Sequence, residues 1–118
     1  MRPRLPVRID GPQLSTTSAA LLDSGADRCV IPDYVGEVLG LPKGKSIQTV
    51  GIGEAGGYES TITLTLIDQK GNKELLDQVP VYVLENVNDI VIGRKGVFTN
   101  FKITFEEYDN KFRLDRKE

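Results

Sequence analysis

Apolar and polar residues alternate along most of the chain, in short runs that Gly, Pro, Asn and Asp residues separate. Because successive side chains of a strand point to opposite faces, such alternation is typical of β-strands with one buried face. The pattern therefore predicts an all-β protein. The predicted strands cover residues 5–9, 18–22, 29–31, 46–52, 58–67, 74–84 and 89–92, and a terminal hairpin covers 102–107 and 111–114.

Two tight turns are predicted between these strands, at residues 10–12 and 68–72. Gly, Pro, Asn and Asp residues there supply the backbone angles that a sharp reversal needs. The strands on either side of each turn should pair as antiparallel hairpins. The chain has 118 residues, 39% of them hydrophobic, and neither a linker nor a repeat divides it, so we expect one globular domain over residues 1–118.

One stretch has a helical pattern. Residues 94–101 follow Gly93 and place three apolar residues on one helix face, namely Val97, Phe98 and Phe101. A shorter helical turn over residues 32–39 is also compatible with the sequence, with these residues facing inward: Val35, Val38 and Leu39. Since alternation dominates elsewhere, the predicted fold is a closed, mostly antiparallel β-barrel with one short helix in its C-terminal region.

Composition excludes several kinds of chemistry. The chain has no histidine, so catalysis by Ser-His-Asp or Cys-His groups and histidine-ligated metal sites are excluded. Cys29 is the single cysteine, so neither an intrachain disulfide nor a Cys-rich zinc site can form. Because no histidine can activate it, we interpret Cys29 as a core residue instead of a nucleophile. We therefore expect no metal and no cofactor.

Charge and hydropathy limit the partners of the protein. The formal net charge is −2, from 15 basic and 17 acidic residues, which argues against a surface built to bind nucleic acid. Apolar runs are short, and residues 2–10 carry several charges and prolines where a signal peptide needs a continuous apolar stretch. These observations predict a cytoplasmic protein that binds neither nucleic acid nor membranes.

The most informative segment is ALLDSGAD at residues 20–27. An apolar strand stops there at Asp23, which Ser24 and Gly25 follow. Such a strand delivers its carboxylate to the end of the core, where Ser24 and the backbone N–H groups beside Gly25 can stabilise it by hydrogen bonds. An ordinary turn at a strand end would contain the same residues. By itself the segment is compatible with a structural role and with a catalytic one.

This segment resembles the active-site motif of the retropepsin-type aspartic proteases, and two later segments resemble motifs of that family in the same order. QTVGIGEAGGY at residues 48–58 resembles the Gly-rich flap, a hairpin that closes over substrate, and DIVIGR at residues 89–94 resembles the segment before the helix. A flexible surface hairpin would contain the same glycines, and Arg94 could simply lie in solvent after a strand end. Three motifs in order, over about residues 5–105, favour the family.

The resemblance implies an aspartic endopeptidase with the catalytic residues Asp23, Ser24 and Gly25. It implies substrate contacts from Leu21, Ala26, Asp27, Arg28, Val30, Gly51, Ile52, Gly53 and Val91. It also implies a buried or half-buried ion pair between Asp27 and Arg94, which would brace the active-site loop because the arginine fork can hold a carboxylate.

Aspartic proteases need two carboxylates that share one proton around a water molecule. Asp-Ser-Gly occurs once in this chain, so the second Asp23 must come from an identical subunit across a twofold axis, and monomers should be inactive. A polypeptide substrate would bind as an extended strand between flap and floor. Three features depart from the viral enzymes: Glu54 near the flap tip, Arg28 where several of them carry an acid, and the hairpin that continues past the helix.

Two other hypotheses fit the same sequence. The chain could be a non-catalytic β-barrel module that kept the peptide groove and the dimer surface, or a structural domain in which the Asp-Ser-Gly turn is only a turn. An intact Asp23 favours the enzyme over the module. The structural domain predicts neither acid-dependent activity nor a peptide groove.

Overall fold

The structure of the chain, a computed structural model, describes residues 4–23, 25–49, 55–67, 71–99, 101–106 and 111–116. Its strands in chain order are β1 (Arg4–Asp10), β2 (Ser15–Leu22), β3 (Cys29–Pro32), β4 (Ser46–Thr49), β5 (Ala55–Ile67), β6 (Lys73–Leu84), β7 (Ile90–Ile92), β8 (Phe101–Glu106) and β9 (Lys111–Arg116). A regular helix, α1 (Asp33–Leu39), and an irregular helical segment (Arg94–Phe98) complete the described part of the chain.

Six of these strands close into a barrel in the order β1-β2-β7-β3-β6-β5, because β5 pairs back onto β1. Four of the six pairings around the ring are antiparallel, and the two parallel ones join β2 to β7 and β3 to β6. β4 adds to β5 outside the closed ring. The predicted closed, mostly antiparallel barrel is confirmed. Both predicted hairpins, β1–β2 and β5–β6, are antiparallel pairs.

Alternation along the strands places one face of each in the barrel interior. In β1, Leu5, Val7 and Ile9 are buried, whereas Pro6 and Arg8 between them are exposed. Other strands contribute buried residues to the same core, among them Ile31, Leu64, Leu66, Val81, Val83 and Ile92. Burial of this apolar surface is the main driving force for folding, at about 25 cal/mol for each Å² removed from water.

One bulge interrupts the alternation in β6. Ile62 of β5 pairs with Val79, but Leu64 pairs with Leu76, so β6 has an extra residue between these two pairs. Gln78 lies in the bulge with φ of 53°, in the left-handed region. The extra residue shifts the alternation by one position, and as a result Leu76 and Val79 are both buried.

The regular helix, α1, lies in the segment where the sequence allowed only a short helical turn. It ends at Gly40, whose φ of 68° provides the left-handed cap that terminates many helices. Its buried stripe runs through Val35, Gly36 and Leu39. The prediction that Val38 faces inward is wrong, because Val38 lies about 60° outside this stripe on the helix and is 57% exposed.

The helical segment predicted after Gly93 is present, but it is shorter and less regular than the sequence pattern indicated. It covers Arg94–Phe98 and is interrupted by Gly96, which has φ of 84°. Val97 is buried as predicted. Phe101, predicted on the same helical face, instead begins β8.

The predicted terminal hairpin is confirmed as β8 and β9, which form an antiparallel two-stranded sheet. Its register pairs Ile103 with Leu114 and Phe105 with Phe112. Within the described ranges this sheet is separate from the barrel, and its main contact with the rest of the chain is with the Arg94–Phe98 segment.

Candidate active site

The candidate active site forms where β2 and β7 end side by side. Leu22 at the end of β2 pairs with Ile92 at the end of β7, and the two strands are parallel. The residues that follow both strands therefore meet at one edge of the sheet. Because β7 lies between β2 and β3, the loop of residues 23–28 that joins β2 to β3 must cross the end of β7. Asp23 begins this loop.

Backbone hydrogen bonds hold Asp23 in place and orient its carboxylate. Its N–H donates to the carbonyl oxygen of Ile92 at 3.0 Å, and its own carbonyl oxygen accepts from the N–H of Ala26 at 3.1 Å. The carboxylate oxygen Oδ1 accepts from the N–H of Gly25 at 3.0 Å. A Cβ at position 25 would lie 3.2 Å from that oxygen, so glycine leaves it room. The side chain is half-buried, and an oriented carboxylate with access to solvent can act as a general acid or base.

The backbone after β7 holds the loop from below. The N–H of Arg94 donates to the carbonyl oxygen of Ala26 at 2.9 Å, and the N–H of Lys95 donates to that of Asp27 at 2.9 Å. Gly93 passes so close beneath the loop that a Cβ there would lie 2.5 Å from the carbonyl oxygen of Arg28. The sequence alone does not predict these backbone contacts. Its one indication of them is the glycine before Arg94.

Arg94 and Asp27 also interact through their side chains. Nη2 of Arg94 donates a hydrogen bond to Oδ1 of Asp27 in the same chain. The resemblance implied a buried or half-buried pair, but in the single chain the side chains of Asp27 and Arg94 are 83% and 54% exposed. Exposed ion pairs contribute about 0–1 kcal/mol. The backbone hydrogen bonds of this segment are therefore the stronger restraint on the loop.

Three of the residues assigned to substrate contacts lie in one row across the sheet. The register pairs Leu21 of β2 with Val91 of β7, and Val91 with Val30 of β3. Each is half-buried while its neighbours along the strand are buried, so the row lies on the face opposite the core. Ala26 is half-buried in the loop beside this row. Such an apolar row can contact the apolar side chains of a bound peptide.

Arg28, at the end of the loop, contacts two residues that do not stand out in the sequence. Its guanidinium carbon lies 4.9 Å from the centroid of the Tyr82 ring, close enough for a cation–π interaction. Its Nη1 lies 3.8 Å from Oε1 of Glu59. The register explains this cluster, because Val30 of β3 pairs with Tyr82 of β6, and Tyr82 pairs with Glu59 of β5.

The hairpin that resembles a flap is formed by β4 and β5. Its arms pair from Ser46 opposite Tyr58 to Thr49 opposite Ala55. The sequence predicts the turn of this hairpin somewhere in residues 53–57, but residues 55–57 belong to β5 and pair with β4, and the stretch 50–54 lies outside the described residues. Four of the residues assigned to the site also lie outside the described ranges: Ser24, Gly51, Ile52 and Gly53.

Cys29 lies directly below the loop and is almost fully buried. Burial raises the pKa of the Cys29 thiol to about 11, and a backbone hydrogen bond from Gly93 opposes part of this rise. A buried neutral thiol is a weak nucleophile. The interpretation of Cys29 as a core residue is therefore confirmed.

Cys29 should react with a thiol reagent such as DTNB far more slowly in the native protein than in denaturant at pH 8. Its raised pKa also stabilises the fold below the ordinary thiol pKa, and this contribution should be lost as the pH rises towards about 11. Urea unfolding of the wild type and of Cys29→Ala at pH 8 to 11 isolates this effect. Over that range the free energy of unfolding of the wild type should fall by roughly 3 kcal/mol more than that of the variant. Equal reaction rates for native and unfolded chains would contradict the prediction.

Within the described ranges, no three Cys, Asp or Glu side chains converge on a point where they could hold a metal ion. In that same part of the chain, no helix is long and apolar enough to span a membrane.

Comparison with known proteins identifies the family. The family model described as retroviral aspartyl protease matches residues 1–104. The chain belongs to this family. Among solved structures, it is similar to the EIAV protease complexed with the inhibitor HBY-793, at 24% sequence identity and a TM-score of 0.48, covering 80% of this chain and 83% of the EIAV protease chain. No curated protein sequence matches the chain. β9 lies beyond the residues that the family model matches.

Proposed function

We propose that the chain is an aspartic endopeptidase that works as a homodimer, in which the two copies of Asp23 activate one water molecule. The observation that carries the proposal is the half-buried Asp23 carboxylate, held by the N–H of Gly25 at the end of a barrel strand, in a chain of an aspartic protease family. The Asp-Ser-Gly sequence occurs once, so a pair of such carboxylates requires a second copy of the chain. Members of the family are homodimeric and bind peptide substrates.

The proposed chemistry follows from two carboxylates held close together. Like charges at hydrogen-bond distance repel strongly, so the pair holds one proton between them. The protonated Asp23 donates a hydrogen bond to the oxygen of the scissile carbonyl group, and the ionised Asp23 takes a proton from the water. The water oxygen attacks the carbonyl carbon. The tetrahedral intermediate collapses when its C–N bond breaks. The leaving nitrogen takes the proton that one Asp23 removed from the water, and the other Asp23 regains the proton it gave to the carbonyl oxygen, so the pair again holds one proton.

We assign the binding of an extended peptide to the row of Leu21, Val30 and Val91, with alternate side chains entering pockets along the row. The loop contributes further contacts in this proposal from Gly25, Ala26, Asp27 and Arg28. The hairpin of β4 and β5 would cover the peptide from the other side, with Gly51, Ile52 and Gly53 near its tip. Ser24 would hydrogen-bond across the dimer axis. A cytoplasmic location belongs to the same proposal, supported by a free, buried Cys29.

Cleavage should depend on the association of two subunits. A denatured protein or a peptide library incubated at several pH values should be cut. The rate per subunit should rise with protein concentration until nearly all subunits are in dimers. Sedimentation equilibrium on the same samples gives the dimer fraction, which the rate per subunit should follow.

A rate per subunit that stays constant while the dimer fraction changes would contradict a site shared between two chains. Binding of peptides without cleavage at any pH would instead support the non-catalytic peptide-binding module. Isothermal titration of the same library peptides distinguishes that module from a purely structural domain, which should bind none of them.

A further inference from the structure

A cleft of about 510 Å³ lies against the outer end of the Asp23 loop. It is lined by Asp27, Arg28, Tyr82, Arg94, Lys95 and Thr99. Three of these six side chains are cations and one is a carboxylate, although the protein as a whole has a net charge of −2. The positive charge is therefore a local property of this cleft.

Two of the three cations already have partners. Arg94 donates to Asp27, and Arg28 lies 3.8 Å from the carboxylate of Glu59, a distance too long for a hydrogen bond. Lys95 is exposed, and the described residues provide no carboxylate within ion-pair distance of its ammonium group. The cleft thus contains one uncompensated cation and an Arg28 guanidinium whose N–H donors have no closer acceptor among the described residues.

The fold sets the orientation of the Arg28 side chain and the backbone position of Lys95. Tyr82 packs under the Arg28 guanidinium at 4.9 Å, which limits the orientations of that side chain. The backbone N–H of Lys95 donates to the carbonyl oxygen of Asp27 at 2.9 Å, so Lys95 is tied to the loop that begins with Asp23. Because its orientation is limited, the Arg28 guanidinium binds an anion with a smaller loss of conformational entropy than a mobile side chain does.

We propose that this cleft binds an acidic side chain of the peptide substrate, and that Lys95 and Arg28 make cleavage selective for peptides with Glu or Asp at one position near the scissile bond. The proposal rests on the proposed protease function. A carboxylate from the peptide gains charge-assisted hydrogen bonds from Lys95 and Arg28. A neutral Gln of the same shape gains weaker bonds, and a Lys is repelled.

The test is a positional scan of a cleaved peptide. Each position receives Glu, Gln or Lys in turn, and kcat/KM is measured for every peptide. At one position Glu should exceed Gln by about tenfold or more, and this ratio should shrink as salt is added because exposed charges are screened. Lys95→Met should reduce the preference, since only Arg28 then binds the acid, and Lys95→Glu should remove it because the new carboxylate repels that of the peptide. No preference for an acid at any position would overturn the proposal.

Lys73→Glu is the matched control, since it makes the same change of charge at an exposed lysine. Lys73 begins β6, nine residues before Tyr82 and so about 30 Å along the strand. This variant should keep the preference for Glu. Loss of the preference in both variants would show a general effect of net charge and overturn the role of Lys95.

Binding measurements separate a failure of this proposal from a failure of the protease function. Fluorescence polarisation of Glu and Gln peptides with the Asp23→Asn variant needs no turnover. If the wild type cleaves no peptide, the protease proposal fails, and tighter binding of Glu peptides that Lys95→Glu removes would still support the cleft. Equal binding of Glu and Gln peptides would overturn the assignment of the cleft.

Discussion

Asp23→Asn should abolish peptide hydrolysis and leave the fold intact, with a loss in kcat of about a thousandfold or more. The substitution preserves the shape of the side chain and an oxygen that can accept from the N–H of Gly25. It removes the general base and the proton that the two carboxylates share. In the wild type the rate should pass through a maximum at the pH where the pair holds a single proton.

The measurement is kcat and KM for one peptide across pH 3 to 8, with circular dichroism and sedimentation to show that the variant is folded and dimeric. Asp77→Asn is the matched control. Asp77 lies beside the β6 bulge, its Oδ1 accepts from the hydroxyl of Thr63 at 2.9 Å, and asparagine keeps that acceptor. This control should retain full activity. Undiminished cleavage by Asp23→Asn would refute the proposed mechanism.

Gly93→Ala should destabilise the protein by about 1–3 kcal/mol and also reduce activity strongly. A Cβ at this position would lie 2.5 Å from the carbonyl oxygen of Arg28 and 2.8 Å from that of Ala26, and both atoms belong to backbone that cannot rotate away. The loop of residues 23–28 must shift to accept it. Because the loop carries Asp23, the shift should displace the carboxylate as well as weaken the hydrogen bonds below it.

Urea unfolding at fixed pH gives the free energy change, and kcat for one peptide gives the effect on the site. Arg94→Ala is the informative comparison, because it removes the exposed ion pair with Asp27 but keeps the backbone N–H that donates to Ala26. Its destabilisation should be below about 1 kcal/mol. A larger effect for Arg94→Ala than for Gly93→Ala would show that the side-chain pair, and not the backbone, restrains the loop.

Local patterns were sufficient for the elements that depend on local geometry. Alternation in β1 places Leu5, Val7 and Ile9 inside because a strand has a repeat of two, whichever strands pair with it. The same reasoning located the ends of β2 and β7, and therefore Asp23 and Gly93.

Prediction from local patterns was less successful for the helices, since α1 is short and the Arg94–Phe98 segment is interrupted at Gly96. An apolar pattern that covers only two helical turns cannot distinguish a regular helix such as α1 from an interrupted segment such as Arg94–Phe98.

The bulge in β6 shows a second limit of local patterns. Leu76 and Val79 are three residues apart, a spacing that fits a helix better than a strand. They both face the core only because β5 pairs with β6 on each side of Gln78, so that the extra residue shifts the register. Side-chain packing against β5 therefore decides the conformation of this segment.

The order of residues is sufficient to predict the strands, the closed barrel class and the strand end that carries Asp23, because burial of one strand face produces a visible alternation of apolar and polar residues. Which strands are neighbours depends on the packing of the whole chain. Closure of the barrel sets β7 between β2 and β3 and aligns β3 with β6. That arrangement brings Gly93 beneath the loop and Tyr82 against Arg28. These contacts join segments far apart in the chain, and their partners are specified by packing of the whole core, which no local pattern records.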